Sequence, residues 1–193
     1  MNTRDKKKAV RRDLLIKRGA MSVIEVKAQS QRVQERLLEV AEYKRAQRIG
    51  LYSHFKGEVQ TGLIFTDALS SDKEVFFPRV INSRAHLHMA FFRVKSESEL
   101  VAGTYGILEP EKKERNDEVL PKTLDLIIIP GIAFDEKCGR IGFGKGFYDR
   151  ALEGVRCVVA GLAFEEQVLE EIPTEPHDAV LSLVVTEKRV IYR

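Results

Sequence analysis

The chain has 193 residues, 44% of them hydrophobic and 32% charged, with a formal net charge of +3 at pH 7. This length suffices for one domain with a well-buried core, and so small a net charge does not indicate a nucleic-acid partner. No apolar run approaches the length of a membrane span, and the charged N-terminus is unlike a signal peptide. We therefore expect a single domain, residues 1–193, that works in the cytoplasm without binding nucleic acid or membrane.

The N-terminal segment predicts a pair of helices, of which the first is strongly basic. Val10, Leu14 and Leu15 stand at helical spacing, which indicates an amphipathic helix with a cationic polar face. A second helix is predicted over residues 22–43, opened by a capping box between Ser22 and Glu25. Taken alone, a cationic helix face is a solvated surface. Its basic residues are Arg4, Lys6, Lys7, Lys8, Arg11, Arg12, Lys17 and Arg18.

The rest of the chain alternates strands and helices. Residues 126–129 form a mostly β-branched apolar run without alternation, which suits a strand covered on both faces. The fold class is therefore predicted to be α/β, a layered sandwich with a mixed, mostly parallel sheet flanked by helices. The predicted strands are 48–53, 75–77, 125–129, 157–162 and 179–184, the predicted helix is 63–69, and the polar stretch 109–122 is predicted to be a surface loop.

A glycine-rich segment with three cations follows the strand at 125–129, after Pro130. Glycines permit positive φ and close backbone approach, so several N–H groups can converge on an anion while the cations neutralise it. The helix predicted to start at Gly146 would add its dipole to the same field. One such glycine alone fits a tight turn; the combination favours phosphate. The segment contains Gly139, Arg140, Gly142, Gly144, Lys145, Gly146 and Arg150.

Two common phosphate motifs nearly fit this segment. Residues 139–145 satisfy the G-x-x-x-x-G-K part of a P-loop, but Gly146 stands where a Ser or Thr would bind magnesium. The dinucleotide fingerprint G-x-G-x-x-G fails in its spacing, and the segment comes late in the chain. Neither an ordinary P-loop NTPase nor a dinucleotide-binding protein is indicated.

Cysteine and histidine usage gives no clear metal centre. Cys138 and Cys157 form no C-x-x-C pair, which fits a reducing compartment. His86 and His88 share one face of a predicted strand, but no third ligand with suitable spacing accompanies them.

The motifs PGIAFD and CGRIGFGKGFYDR, together covering residues 130–150, resemble the signature of the 5-formyltetrahydrofolate cyclo-ligase family, whose members are also called methenyltetrahydrofolate synthetases. The resemblance extends over nearly the whole chain and departs from the usual pattern at Cys138, Gly139 and Phe147. It includes KKAVRRDLLIKRGAMS near the N-terminus, YSHFKGEVQT at 52–61, FPRV at 77–80, MAF at 89–91, YGILEP at 105–110 and GLAFEEQVLEEIPTEPHDAVLSLVVTE from Gly161.

The resemblance implies an ATP- and Mg²⁺-dependent ligase that converts 5-formyltetrahydrofolate, with or without a polyglutamate tail, to 5,10-methenyltetrahydrofolate. Phosphoryl transfer to the formyl oxygen needs charge neutralisation and alignment rather than a covalent nucleophile. Lys145, Arg140 and Arg150 are the expected catalytic residues. The expected ATP-binding residues are Lys7, Arg11, Arg140, Gly142, Gly144, Lys145, Gly146, Phe147 and Tyr148.

The resemblance also implies a folate site and a metal site. Glu58 would accept hydrogen bonds from the donor-rich pterin ring, although alone it would be an ordinary surface residue. The other expected folate residues are Ser53, Phe143, Gly144, Lys145, Gly146, Phe147 and Tyr148, with Phe55 as an additional aromatic contact. Asp149 and Asp178 are expected to bind Mg²⁺, while Asp135 is a reserve candidate. Without the resemblance, Asp149 is a helix N-terminal charge and Asp178 a turn residue.

Two alternatives from other functional classes stay open at this point. The chain is also compatible with a non-catalytic nucleotide- or folate-binding regulator of the same fold, although no phosphate-binding residue is evidently lost. An RNA-binding role would use the basic helix, but the sequence has no basic patch interleaved with aromatic residues. We expect a monomeric enzyme.

Overall fold

The computed structural model describes residues 2–82, 87–111, 118–176 and 178–193. Its helices are α1 (Thr3–Ala20), α2 (Val23–Glu39), α3 (Ala41–Arg45), α4 (Gly62–Ser70) and α5 (Phe147–Ala151). Its strands are β1 (Arg48–Gly50), β2 (Glu74–Asn82), β3 (Leu87–Arg93), β4 (Leu100–Ala102), β5 (Leu108–Pro110), β6 (Glu118–Val119), β7 (Leu126–Pro130), β8 (Ala133–Asp135), β9 (Arg140–Ile141), β10 (Val158–Leu162), β11 (Val168–Leu169), β12 (Leu183–Val185) and β13 (Val190–Tyr192).

Within the described residues, eight strands form one mixed sheet in the order β13-β12-β10-β7-β1-β2-β3-β6. The five strands from β12 to β2 are parallel, and β13, β3 and β6 are antiparallel to their neighbours. A three-stranded sheet, β11-β8-β9, and the β4-β5 pair stand beside it. The prediction of an α/β fold with a mixed, mostly parallel sheet is confirmed.

Strand β7 lies at the centre of the sheet and is covered on both faces, as its sequence predicts. Leu126 and Ile128 belong to the hydrophobic cluster that α2 and α4 cover. Ile127 and Ile129 belong to the cluster on the opposite face. A strand with two apolar faces is stable only between two layers, so this run of four residues fixes the layered arrangement.

The N-terminal helices follow the sequence prediction with one correction. Helix α1 is present, and the capping box between Ser22 and Glu25 opens α2. The single helix predicted over residues 22–43 is wrong, because Val40 is extended (φ −66°, ψ 132°) and separates α2 from α3. This turn lets both Val40 and Tyr43 enter the main core.

Several strand boundaries also differ from the prediction. The strand predicted over 48–53 ends at Gly50, while 75–77 is part of the longer β2. The strand predicted over 179–184 begins only at Leu183, because the N–H of Leu181 donates to the Cys138 carbonyl outside the sheet. The predicted loop 109–122 contains β6, whose hydrogen bonds with β3 outweigh its polar composition; residues 112–117 lie outside the described residues.

Among the described helices, none combines the length and the apolar character needed to cross a membrane.

Candidate active site

The candidate site lies where the central parallel strands end. The segment after β1 carries Glu58, and the segment after β7 leads into residues 142–146, called the glycine loop below. Loops that follow neighbouring parallel strands meet at the same edge of the sheet, which is where open α/β sheets bind ligands. Helix α1 packs against β8 and brings its basic face to this edge.

A largely apolar cavity of about 390 Å³ opens on one side of the glycine loop. This volume is within the range of small-molecule sites. The cavity, called the apolar cavity, is lined by Tyr52, Ser53, Phe55, Lys56, Glu58, Pro78, Val80, Met89, Thr104, Tyr105, Ile107, Leu108, Glu109, Pro130, Gly131, Arg140, Gly142, Phe143, Gly144, Lys145, Gly146, Phe147, Tyr148 and Asp149.

A polar pocket of about 710 Å³ opens on the other side of the glycine loop. Its lining brings basic residues of α1 beside the loop and beside carboxylates from the C-terminal part of the chain. The pocket, called the polar pocket, is lined by Arg4, Lys7, Arg11, Gly144, Lys145, Gly146, Asp149, Arg150, Leu152, Glu153, Glu175, Pro176, Asp178 and Ala179.

The two pockets share one short stretch of chain. Gly144, Lys145, Gly146 and Asp149 line both the apolar cavity and the polar pocket. A group bound in one pocket and a group bound in the other would therefore meet at the same lysine and the same backbone. This arrangement suits a reaction between two substrates.

The glycine loop needs its glycines for conformation and for space. Gly144 and Gly146 have φ values of +86° and +66°, which other residues rarely adopt. A Cβ at Gly144 would stand 3.3 Å from Cζ of Arg11, and one at Gly146 would stand 2.8 Å from an Arg150 side-chain nitrogen. Glycine thus lets two guanidinium groups approach the loop backbone closely.

Helix α1 holds the loop from the side of the polar pocket. Nε of Arg11 donates a hydrogen bond of 2.7 Å to the carbonyl of Gly142. At the other end of the loop, Arg150 donates to the carbonyl of Lys145 over 3.2 Å. The loop is therefore fixed by two arginines that also line the polar pocket.

Lys7 is a buried cation, 6% exposed, at the floor of the polar pocket. Its Nζ lies 2.7 Å from the Glu175 carboxylate and 2.6 Å from that of Asp178. Burial lowers the pKa of Lys7, but the hydrogen bonds and charges of Asp178 and Glu175 outweigh it and the pKa is raised overall. Lys7 is therefore held as a cation in the lining of the polar pocket.

Glu58 is a buried carboxylate, 5% exposed, in the wall of the apolar cavity. A tight turn at Lys56 and Gly57, both with positive φ, folds it back so that its Oε2 accepts the N–H of Phe55 at 3.0 Å. The hydroxyl of Tyr52 braces this turn by donating to the Val59 carbonyl at 2.6 Å.

Burial raises the pKa of Glu58 to about 7, and the opposing effects of Arg18, the Phe55 N–H and Arg140 are smaller. Burial and the Glu58 charge also raise the pKa values of Tyr52 and Tyr148, so both phenols are neutral. A carboxylate with neutral aromatic neighbours is suited to accept N–H groups from a flat heterocycle.

The two aspartates expected to bind a metal both line the polar pocket. Each is paired with a cation: Asp149 with Arg140 and Asp178 with Lys7. Among the described residues, no cluster of three or more His, Cys, Asp or Glu side chains is placed to hold a metal ion. Glu153 and Glu175 line the same pocket, and a site with few carboxylates fits Mg²⁺ that is also bound by phosphate oxygens and water.

Asp135, the reserve metal candidate, has a structural position. Its buried carboxylate accepts hydrogen bonds from the N–H groups of Gly139, Lys137 and Ile172. The first two bonds close the turn between β8 and β9, the third ties this turn to the segment after β11, and Asp135 lines neither pocket.

The structure brings the residues predicted from the sequence together around the glycine loop. Arg140, Gly142, Phe147 and Tyr148 line the apolar cavity and not the polar pocket, although they were expected at ATP. Ser53 lines the apolar cavity, and its buried hydroxyl has no partner among the described residues. His86 lies outside the described residues.

Sequence reasoning missed part of both pockets. Arg4, three residues before Lys7 on the same helix face, could have been found from helical spacing. The rim of the apolar cavity at residues 104–109 carried no chemical signal, because its contribution comes from the placement of the β4-β5 pair. Arg18 was counted only as part of the basic face, yet it is one of the buried residues of α1.

Comparison with known proteins gives a consistent result. Residues 3–187 match the model of the 5-formyltetrahydrofolate cyclo-ligase family. The 5-formyltetrahydrofolate cyclo-ligase of Haemophilus influenzae is 31% identical, with 94% of this chain and 97% of that protein covered. The mouse protein of the same name is also 31% identical, with 94% and 93% covered. The solved 5,10-methenyltetrahydrofolate synthetase of Aquifex aeolicus superposes with a TM-score of 0.84 at 35% identity, covering 96% of this chain and 92% of that one.

Proposed function

The chain belongs to the 5-formyltetrahydrofolate cyclo-ligase family, and we propose that it uses ATP and Mg²⁺ to convert 5-formyltetrahydrofolate to 5,10-methenyltetrahydrofolate, ADP and phosphate. The observation that carries this proposal is the stretch shared by the two pockets, Gly144 to Gly146 with Asp149. One pocket suits a flat, largely apolar heterocycle and the other suits a polyphosphate, and both end at Lys145.

The apolar cavity is the proposed folate site. Glu58 would accept N–H groups of the pterin, while Phe55 and Tyr148 supply aromatic contacts. Ser53 adds a buried hydroxyl that has no partner among the described residues. Lys145 and the neighbouring backbone would face the formyl end of the bound folate. A polyglutamate tail remains compatible with this placement, since the cavity opens to solvent at its rim.

The polar pocket is the proposed triphosphate site. Lys7, Arg11, Lys145 and Arg150 are the predicted phosphate ligands, and Arg4 lines the same pocket. Cations combined with glycine backbone N–H groups are the usual means by which proteins hold phosphate. Asp149 and Asp178 would hold Mg²⁺, which when bound neutralises phosphate charge.

The proposed reaction has two steps. The formyl oxygen attacks the γ-phosphorus, an O–P bond forms, and the bond from that phosphorus to ADP breaks. The product is an iminium phosphate on nitrogen 5. Nitrogen 10 then attacks the formyl carbon and loses its proton, and the C–O bond breaks to release phosphate and leave the methenyl bridge.

The protein's part in this chemistry is alignment and charge stabilisation. Lys145 stands between the two pockets, where it would neutralise charge on the transferring phosphoryl group. Arg150 would act on the same group from the polar pocket. Arg140 is held by Asp149 and by the carbonyl of Pro130 at the base of the loop, so it supports the loop from the folate side.

Residues 1–193 are proposed to act as one unit. The polar pocket combines residues from Arg4 to Ala179, so it needs both α1 and the segment after β11. The expectation of a monomer stays a prediction, which light scattering on the purified protein would test.

The test is ultraviolet absorbance of the protein mixed with 5-formyltetrahydrofolate, Mg²⁺ and ATP, with parallel samples that lack ATP or Mg²⁺. Formation of the methenyl product only in the complete mixture is expected. Binding of folate and ATP without product would contradict the proposal and favour a non-catalytic regulator of the same fold.

A further inference from the structure

A second buried charge lies close to Glu58 and has no role in the mechanism given above. Arg18, near the end of α1, is 4% exposed. One of its terminal nitrogens stands 3.5 Å from the Gly131 carbonyl, a long contact, and the other has no partner among the described residues. A guanidinium buried with so few partners is costly, and a Leu or Met at this position would fill similar space without that cost.

The position of Arg18 follows from the spacing of α1. Lys7, Arg11, Leu14 and Arg18 recur at intervals of three and four residues, so they share one face of the helix. Lys7 and Arg11 reach the polar pocket at one end of this face. Arg18, about 16 Å from Lys7 along the helix axis at the usual rise per residue, instead contacts Gly131 in the wall of the apolar cavity. Its guanidinium also stands 5.8 Å from the centre of the Phe143 ring in the glycine loop.

The groups that face Glu58 come from several elements. They are Arg18 from α1, Arg140 from β9, the phenols of Tyr52 and Tyr148, and the N–H of Phe55. Of the two cations, Arg140 is already paired with Asp149 and bonded to Pro130. Arg18 packs against the turn that carries Glu58, since a Cβ at Gly57 would stand 3.7 Å from Cγ of Arg18, and the two charges each favour the ionised form of the other. Both cations favour the ionised form of Glu58, and the effect of Arg18 is the larger of the two.

We propose that Arg18 is a positioning residue for the folate side of the site: its buried charge favours the ionised form of Glu58, whose two oxygens can both accept pterin N–H groups, whereas the protonated acid places an O–H donor at one of them. This inference rests on the proposed function for the identity of the ligand. It adds that the α1 face serves both substrates, with Lys7 and Arg11 at the phosphates and Arg18 behind the folate carboxylate.

The first test uses the ligand-free protein. The ¹³C carboxyl resonance of Glu58, assigned with Glu58→Gln, is followed against pH in the wild type and in Arg18→Met, Arg18→Gln and Arg18→Lys. The midpoint is expected near pH 7 in the wild type and in Arg18→Lys, and higher in the two neutral variants. An unchanged midpoint in folded Arg18→Met or Arg18→Gln would overturn the proposal.

The second test measures KM for 5-formyltetrahydrofolate against pH at saturating ATP. Below the Glu58 midpoint KM is expected to rise about tenfold for each pH unit, and in Arg18→Met this rise begins at a higher pH. Lys17→Met, an exposed neighbour on the same helix, is the matched control and keeps the wild-type profile. The protonation of ATP is the same in all variants, so differences in KM between the variants arise from the protein.

The double variant with Glu58→Gln and Arg18→Met separates an electrostatic role of Arg18 from a merely structural one. In a Glu58→Gln background, Arg18→Met should no longer change the pH profile of the folate KM. A pH-independent loss of the same size in both backgrounds would overturn the proposal in favour of packing. Failure of the proposed function is distinguishable, since the wild type would then form no methenyl product at any pH.

Discussion

The guanidinium of Arg140 donates a hydrogen bond of 3.0 Å to the carboxylate of Asp149, and this ion pair closes the glycine loop at its base. Arg140 lies in β9 just before the loop, and Asp149 lies in α5 just after it. A second nitrogen of Arg140 donates to the carbonyl of Pro130, where β7 ends. The loop is thus tied to the central strand before any ligand binds. Such preorganisation spares the ordering cost at the moment of reaction.

Removing the lysine shared by the two pockets should abolish most turnover. Lys145→Ala is expected to lower kcat by about 10²- to 10³-fold, the usual effect of losing one charge-stabilising donor, with an unchanged melting temperature. Lys137→Ala is the matched control, because Lys137 pairs with Glu171 on the surface of the neighbouring turn. Near-normal turnover of Lys145→Ala at saturating ATP would refute the catalytic role.

Adding a methyl group to the glycine loop should weaken ATP binding. Ala at Gly144 must adopt a φ of +86° and crowds Arg11, so Gly144→Ala is expected to raise KM for ATP and to lower stability by about 1 kcal/mol. Gly154→Ala separates these effects, since Gly154 also has positive φ but has nothing within 4 Å of an added Cβ. It should share the loss of stability and keep the wild-type KM. Equal KM values for ATP in Gly144→Ala and Gly154→Ala would argue against a phosphate site at this loop.

The buried carboxylate of Glu58 should lower the free energy of unfolding at high pH. The pKa of Glu58 rises from 4.5 to about 7 on folding, so between these values the folded protein binds a proton that the unfolded chain releases. The free energy of unfolding therefore falls as pH rises through this window. Glu58→Gln does not titrate and is expected to be more stable than the wild type at pH 8 by about 1–3 kcal/mol.

This difference should shrink at pH 5, where Glu58 is protonated in the folded protein. Urea unfolding at the two pH values measures it. At the same time Glu58→Gln should bind folate more weakly at pH 8. A Glu58→Gln variant that is less stable than the wild type at pH 8 would contradict this prediction. It would show that the Glu58 carboxylate is well solvated in the folded protein.

Magnesium dependence should distinguish the aspartates. Asp149→Asn and Asp178→Asn are expected to raise the Mg²⁺ concentration needed for half-maximal activity, because each removes one of the two carboxylates proposed to hold the ion in the polar pocket. Asp135→Asn instead weakens the turn between β8 and β9, and should lower stability by about 1–3 kcal/mol with the Mg²⁺ requirement unchanged. A normal Mg²⁺ requirement in both pocket variants would remove these residues from the metal site.

The core of the fold could be read from local sequence. The unbroken apolar run of β7 predicted a strand covered on both faces, and the Ser22–Glu25 capping box predicted the start of α2. The break at Val40 could not be predicted, because helical propensity continues through it and burial of Val40 and Tyr43 in one core decides the turn. The short strand β6 was hidden for a similar reason, since its pairing with β3 is not local.

The candidate site could be predicted from the sequence where charged residues and glycines occur together. It could not be predicted where only the spatial position of a residue matters. Lys145 and its flanking glycines indicated phosphate by composition. Arg18 gave no separate signal, since a buried arginine at the end of a basic helix looks like its solvated neighbours until the turn carrying Glu58 is folded against it. The role of Arg18 can be seen only in the spatial arrangement of segments that are distant in the sequence.

The most direct measurement of the proposed chemistry follows an isotope from folate to phosphate. 5-Formyltetrahydrofolate labelled with ¹⁸O in the formyl group is converted with unlabelled ATP and Mg²⁺, and the released phosphate is analysed by mass spectrometry. Transfer of the label to phosphate is expected, because the formyl oxygen becomes a phosphate oxygen when the ring closes. Methenyl product accompanied by unlabelled phosphate would contradict phosphorylation of the formyl group.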